Sequence, residues 1–269
     1  MIHEPERRQQ LVDSCRMLYE RGLITGSAGN VSIRLAEDCY LTTPSGLCKG
    51  FLKVDDLVVV NGAGQRLAGR HQPSSEYDMH SAIYAVRPDV EAIVHAHPPN
   101  ATACSVAGRS LATPILTETI LTIGEIAMAP VALPGTAEVA ASLQGLIAKH
   151  DAIVLAHHGA VTCGPDLASA YQRMEVLEHT AHIYWIATML GGAKALPDLT
   201  VEQLLAKKLA HPVSTLTLPS TCNKAPRPYN KRFSAHISKD QAPLTDELLE
   251  ALVASVLQEV KVKCTESRR

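Results

Sequence analysis

Two histidines one residue apart, His95 and His97 in the segment VEAIVHAH, are the first place where this sequence could do chemistry. On a strand, side chains two apart share a face, so both imidazoles can reach one ion. Such a pair is more often structural, and a metal reading needs a third ligand. His157 and His158 end another apolar run, AIVLAHH, and only one of them can face the first pair. Neutral imidazoles with one coordination position open suit Zn2+ and leave room for substrate oxygens. Glu76, in PSSEYDMH, sits in the first turn of a helical pattern, where a carboxylate can simply offset the helix dipole. Beside the histidines it becomes a fourth ligand or a general acid/base. His80, one turn further along the same face, is placed in the core or behind the ligands. His179 and His182 are read as packing or subunit-contact residues.

Three loops of small residues could seat an anion: Gly26-Ser27-Ala28-Gly29-Asn30, Thr43-Pro44-Ser45-Gly46 and Pro73-Ser74-Ser75. Each offers backbone N–H groups or hydroxyls without bulk, and the third opens a helix. Taken singly, each is an ordinary turn. No Walker motif and no G-x-G-x-x-G follow a strand, so nucleotide binding has no support.

The elements that must position these groups follow from apolar spacing. Leu11, Cys15, Leu18 and Tyr19 predict a helix over residues 7 to 21, stopped by Gly22. Strands are expected at 31 to 35, 39 to 42, 57 to 60, 90 to 97 and 152 to 158, the last stopping at Gly159. Helices are expected from Ser74 to before Pro88, at 100 to 107, at 136 to 149 and at 166 to 190, with a loop over 111 to 134. Helices interleaved with short strands imply a layered α/β or α+β domain.

The chain has 269 residues and is 46% hydrophobic, enough for one sizeable core. With 25 basic against 27 acidic residues, no basic excess exists to bind nucleic acid. No run of about 18 apolar residues suggests a membrane span. The charged start, MIHEPERRQQ, does not look like a signal peptide, so a cytoplasmic location is expected. Seven scattered cysteines without a C-x-x-C pair read as reduced thiols.

As an ordered set, TGSAGNVSIR, TTPSG, PSSEYDMH, VHAHPP, PGT and AHHGAV resemble the class II aldolase/adducin family, over about Leu11 to Lys207. The resemblance implies a three-layer α/β/α fold with a central, mostly antiparallel sheet, and a homotetramer with sites between subunits. It implies zinc on His95, His97 and His158, with Glu76 as the acid/base. It implies a phosphate cradle at Gly29, Asn30, Ser45, Gly46, Ser74 and Ser75. The implied activity is cleavage of a ketose 1-phosphate, of the L-fuculose 1-phosphate type, to dihydroxyacetone phosphate and an aldehyde through an enediolate. The rival readings on the same fold are a metal-dependent decarboxylase or a sugar-phosphate epimerase, and, outside catalysis, an adducin-like assembly module. That module lacks the metal set retained here.

Two departures stand out. The family's fuculose-phosphate aldolases use a tyrosine near the segment matching Ile115 to Ile123, which here reads ILTETILTI and offers only Glu118 as an acid. The family's C-terminal tyrosine has no match near Ala210, and Tyr229 lies too far along to equate. Beyond the resemblance, the catalytic domain is expected over 1–210 and a flexible linker over 211–242. An amphipathic helix over 243–269 carries Leu248, Leu249, Leu252, Val253, Val256, Leu257 and Val260 on one face. This tail resembles encapsulation peptides, which implies docking to a protein such as a bacterial microcompartment shell.

Overall fold

The structure, a computed structural model, describes residues 4–210. The expected linker at 211–242 and helix at 243–269 lie outside the described residues. Eight strands form one sheet: β1 (Asn30–Ala36), β2 (Cys39–Thr42), β3 (Val58–Val60), β4 (Arg66–Ala68), β5 (Ala92–Ala96), β6 (Ile126–Ala129), β7 (Ala152–Leu155) and β8 (Gly159–Gly164). Their order is β4-β3-β2-β1-β5-β8-β7-β6. Every pairing is antiparallel except that of β6 with β7. The helices are α1 (Glu4–Glu20), α2 (Tyr77–Val86), α3 (Pro99–Val106), α4 (Thr117–Thr122), α5 (Ala137–Ser142), α6 (Leu167–Met189) and α7 (Asp198–Ala210).

Strand alternation splits the core into two layers. Val31, Ile33, Leu41, Ala92, Val94 and Ala160 pack on one face with Leu11 and Leu18 of α1 and Met174 and Leu177 of α6. Tyr40, Val58, Val60, Ile93, Ile153 and Val161 face the other way, onto Met79 and Ile83 of α2 and Val139 of α5. Each fully buried Leu, Ile or Met contributes roughly 1.5–3 kcal/mol, so both faces must be covered for the sheet to persist. This is the expected three-layer α/β/α arrangement.

Three expectations need correction, and two elements went unforeseen. The stretch 111 to 134 is not a loop, because it holds α4 and β6. Helix 136 to 149 is cut to Ala137–Ser142, and Gly145 beyond it adopts φ 80°. The strand expected over 152 to 158 ends at Leu155, and Gly159 starts a further strand, β8, whose six residues are all buried. Helix α7 and strand β4 were not foreseen, and α7 buries none of its residues fully. Among the described residues, no helix is long and apolar enough to cross a membrane.

Candidate metal centre

Sheet neighbours assemble the site. His95 lies on β5 in register with Asn30 of β1 on one side and Val161 of β8 on the other. His97 is just past the end of β5, and its N–H donates to the Leu23 carbonyl at 2.8 Å. His158 stands in the turn between β7 and β8, next to that strand end. His157, ahead of it, takes a left-handed φ of 60° and is exposed. That twist turns His157 out and His158 in, which settles the choice the sequence left open. Gly159 must be glycine, since a Cβ there would lie 2.4 Å from the Ala96 carbonyl oxygen and 2.8 Å from His97 Cδ2.

One ligand atom from each of His95, His97 and His158 lies within 4.8 Å of the others. The Nε2 atoms of His95 and His97 are 3.2 Å apart. His95 is fully buried, and its Nδ1–H donates to the Ala160 carbonyl at 2.9 Å, which leaves the Nε2 lone pair aimed into the cluster. Glu76 adds oxygens at 3.3 Å from His95 Nε2 and 3.2 Å from His158 Nε2. Lone pairs and a carboxylate converging this closely call for a proton or a cation between them. The donor set fits a divalent ion.

Glu76 is the N-cap residue of α2, not part of its first turn, and its side chain makes no capping bond. Its carboxylate turns to the histidines instead, and the Asn30 amide donates to Oε2 at 3.0 Å. Burial acts to raise the Glu76 carboxyl, but the hydrogen bonds to His158 and His95 outweigh it and hold the group well below the usual carboxylate range. Burial, aided by the neighbouring His95 and His158, pulls His97 down to about 4. His97 is therefore a neutral imidazole at pH 7, the form that ligates metals.

Behind this cluster runs a buried chain that sequence reading placed only loosely. Ser32 Oγ is 2.6 Å from His80 Nδ1 and 2.9 Å from the Tyr84 hydroxyl. Burial pushes His80 down to about 3, so it is held neutral. An unfolded histidine binds a proton below about 6.5, whereas the folded one does so only near 3. Stability is thus expected to fall as pH drops from about 6.5 toward 3, by up to about 1.4 kcal/mol per unit. Urea melts at pH 7 and pH 5 should show a larger loss for the wild type than for His80→Gln; equal losses would refute this.

The cradle residues are brought together in part. Pro44 and Pro73 form a β-bridge, and Ser74 N–H and Ser45 N–H donate to the Thr43 and Gln72 carbonyls, so two loops lie side by side. Those two N–H groups are spent, and Ser45 and Ser74 can offer an anion only their hydroxyls. Ser45, Gly46 and Ser75 are exposed, while Asn30 is buried with its amide on Glu76. Gly29 has φ 70°, and a Cβ would sit 2.7 Å from Ile24 Cγ2 and 2.8 Å from the His95 carbonyl oxygen. Gly29→Ala is expected to lower stability by about 2 kcal/mol or more and to disturb His95. A thermal melt within 1 °C of the wild type would contradict that reading.

Of the other candidates, Glu118 is exposed on α4. His182 lies beside Trp185 with ring centroids 5.7 Å apart and planes tilted by 59°, and its Nδ1 is 3.4 Å from Asn100 Oδ1, contacts that fit the packing half of the expectation. His179 is exposed.

The family profile for the class II aldolase and adducin N-terminal domain matches residues 9–185. The chain belongs to that family. It is 34% identical over 211 residues to a 3-oxo-tetronate 4-phosphate decarboxylase of Escherichia coli O6:H1, covering 77% of this chain and 95% of that one. It is 37% identical over 177 residues to an L-fuculose phosphate aldolase of Methanococcus maripaludis, covering 66% and 94%. The solved structure of YgbL from Klebsiella pneumoniae, a candidate aldolase, epimerase or decarboxylase, superimposes with a TM-score of 0.70 at 33% identity, covering 76% and 100%. Family membership and the three-layer fold are thus common ground, and the relatives divide over the reaction.

Proposed function

We propose that this chain is a divalent-metal lyase that breaks a carbon–carbon bond of a phosphorylated ketose, of the L-fuculose 1-phosphate type, releasing dihydroxyacetone phosphate and an aldehyde. The observation that carries the reading is Glu76, whose two oxygens stand 3.3 Å and 3.2 Å from two of three converging imidazoles. A divalent cation, zinc in this reading, would be held by His95, His97 and His158 and would supply polarisation of a carbonyl and stabilisation of the charge left on carbon when the bond breaks. Glu76, whose orientation the Asn30 amide fixes, carries the proton for that carbon: ionised at rest, it first takes up a proton, from the substrate hydroxyl or from water, and then delivers it there. The loops carrying Gly29, Asn30, Ser45, Gly46, Ser74 and Ser75 seat the phosphate. Assembly as a homotetramer belongs to the same reading, and the exposed Trp185, Ile186, Met189 and Leu190 near the end of α6 offer apolar surface for it.

A second reading has its own observation. The segment Ile115 to Ile123 has no tyrosine, and Glu118 is its sole ionisable side chain. Aldol cleavage must take a proton from the hydroxyl that becomes the aldehyde. Decarboxylation of a 3-oxo acid phosphate leaves the same kind of carbanion and also yields dihydroxyacetone phosphate, with no hydroxyl proton to remove. The missing tyrosine therefore favours decarboxylation.

One assay separates the two. Metal-loaded protein is incubated with L-fuculose 1-phosphate, 5-deoxyribulose 1-phosphate or 3-oxo-tetronate 4-phosphate, with and without chelator, and dihydroxyacetone phosphate is coupled to NADH oxidation. Chelator-sensitive release from a ketose phosphate supports the aldolase. Release from the keto acid alone, with carbon dioxide, supports the decarboxylase. No release from any of them, with metal confirmed bound, overturns both.

A further inference from the structure

Lys49 is a buried cation with no anion beside it. The residue is 2% exposed and opens a short 3-10 turn just after the TTPSG loop. Its Nζ donates to the Ser27 and Leu47 carbonyls, each at 2.9 Å. Among the described residues no carboxylate forms an ion pair with it. Glu76 is the one carboxylate whose field is felt there, and that carboxylate is already engaged by two histidines and Asn30. Removing an ammonium from water is costly unless a counter-charge answers it. Carbonyl dipoles answer only part of it.

The position is specific. Ser27 belongs to the loop 25–30 and Leu47 follows the loop 43–46, while the Lys49 N–H holds the Gly26 carbonyl at 3.1 Å. The second loop is tied to the third through the Pro44–Pro73 bridge, and the third runs into the N-terminus of the ten-residue α2. One buried charge thus ties together two of the three loops that line up small, exposed residues Ser45, Gly46 and Ser75. Burial lowers the Lys49 pKa from the ordinary lysine value, and an anion seated on these loops would raise it again.

We propose that Lys49 is the positive charge that fits this loop cluster to a phosphate dianion, acting from behind the loops and selecting phosphorylated over unphosphorylated substrates. This rests on the reading above that the substrate carries a phosphate. Lys49 is not a catalytic residue, because its Nζ is occupied by backbone carbonyls and lies below the surface.

The test uses the full chain with its metal bound and reads binding calorimetrically, without turnover. The probes are inorganic phosphate, dihydroxyacetone phosphate and unphosphorylated dihydroxyacetone. Lys49→Gln keeps N–H donors for the two carbonyls, one bond shorter, and removes the charge. The dissociation constants of inorganic phosphate and of dihydroxyacetone phosphate are expected to rise on the order of 10-fold. Dihydroxyacetone binding and metal content should stay as in the wild type, and Lys49→Arg should keep phosphate affinity within about 3-fold. Unchanged phosphate affinity in Lys49→Gln overturns the proposal. A loss for inorganic phosphate without one for the ester also overturns it, since Lys49 would then serve a free-anion site. If neutral variants fold poorly, wild-type protein with 13C-labelled lysine decides: phosphate should shift the Lys49 side-chain resonance, and no shift refutes the proposal. Failure of the lyase assay leaves this result standing, and unchanged phosphate binding leaves the lyase reading standing.

Discussion

His158→Ala is expected to abolish tight metal binding and to lower kcat/KM by at least about 10³-fold, equivalent to about 4 kcal/mol of transition-state stabilisation. Two imidazoles on and just beyond β5 cannot by themselves complete the set, and the third comes from the turn between β7 and β8. His158 is the best residue to remove, because it sits in a turn with its side chain 11% exposed, whereas His95 is packed at 0% and bonded to the Ala160 carbonyl. Truncation there should leave the metal-free protein melting close to the metal-free wild type. The wild type should gain stability from metal, about 4 kcal/mol at a thousand times the dissociation constant, and the variant should gain almost none. Metal analysis after gel filtration with a parallel melting series checks both. A variant that still holds one metal equivalent at wild-type affinity would remove His158 from the ligand set.

Glu76→Gln is expected to keep the metal and lose turnover, with kcat down by roughly 10²–10⁴-fold and KM nearly unchanged. The amide has the shape of the carboxylate and can still accept from Asn30, but it cannot take up a proton. The contacts at 3.3 Å to His95 and 3.2 Å to His158 make the competing role concrete, since an oxygen so placed could also be a metal ligand. The two roles part in a single experiment. Turnover lost with metal retained makes Glu76 the proton carrier; metal lost along with turnover makes it a ligand. Wild-type turnover in a metal-replete Gln variant would take it out of the reaction.

The sequence alone determined the parts whose signals are local. Alternation of Val31, Ile33 and Leu35 marked β1, apolar runs bounded by turn residues marked β5 and β7, and the long helical stretch after Pro165 marked α6, because such patterns follow from backbone geometry in any context. The spacing of His95 and His97 already put two imidazoles on one side, and ordered motifs pointed to the family. Where both faces of a strand are buried, as in β8, alternation vanishes and the segment passes for a strand end. The short elements α4 and β6 were lost among apolar residues with no single period, and α5 was overextended because a glycine at positive φ was read as helix.

Tertiary structure decided what depends on neighbours far along the chain. Alternation could not say which of His157 and His158 turns inward, since the answer lies in a left-handed residue and in the pairing of β8 with β5. Glu76 reads in sequence as a residue placed for the helix dipole, and only packing of α2 over β1 and β5 turns its carboxylate onto the histidines. Asn30 was legible as a cradle residue but not as the amide that orients Glu76. A lone lysine in a loop reads as solvated. Lys49 is buried because two loops separated by about twenty residues close over it, and desolvation and charge placement of that kind arise only when the chain has folded.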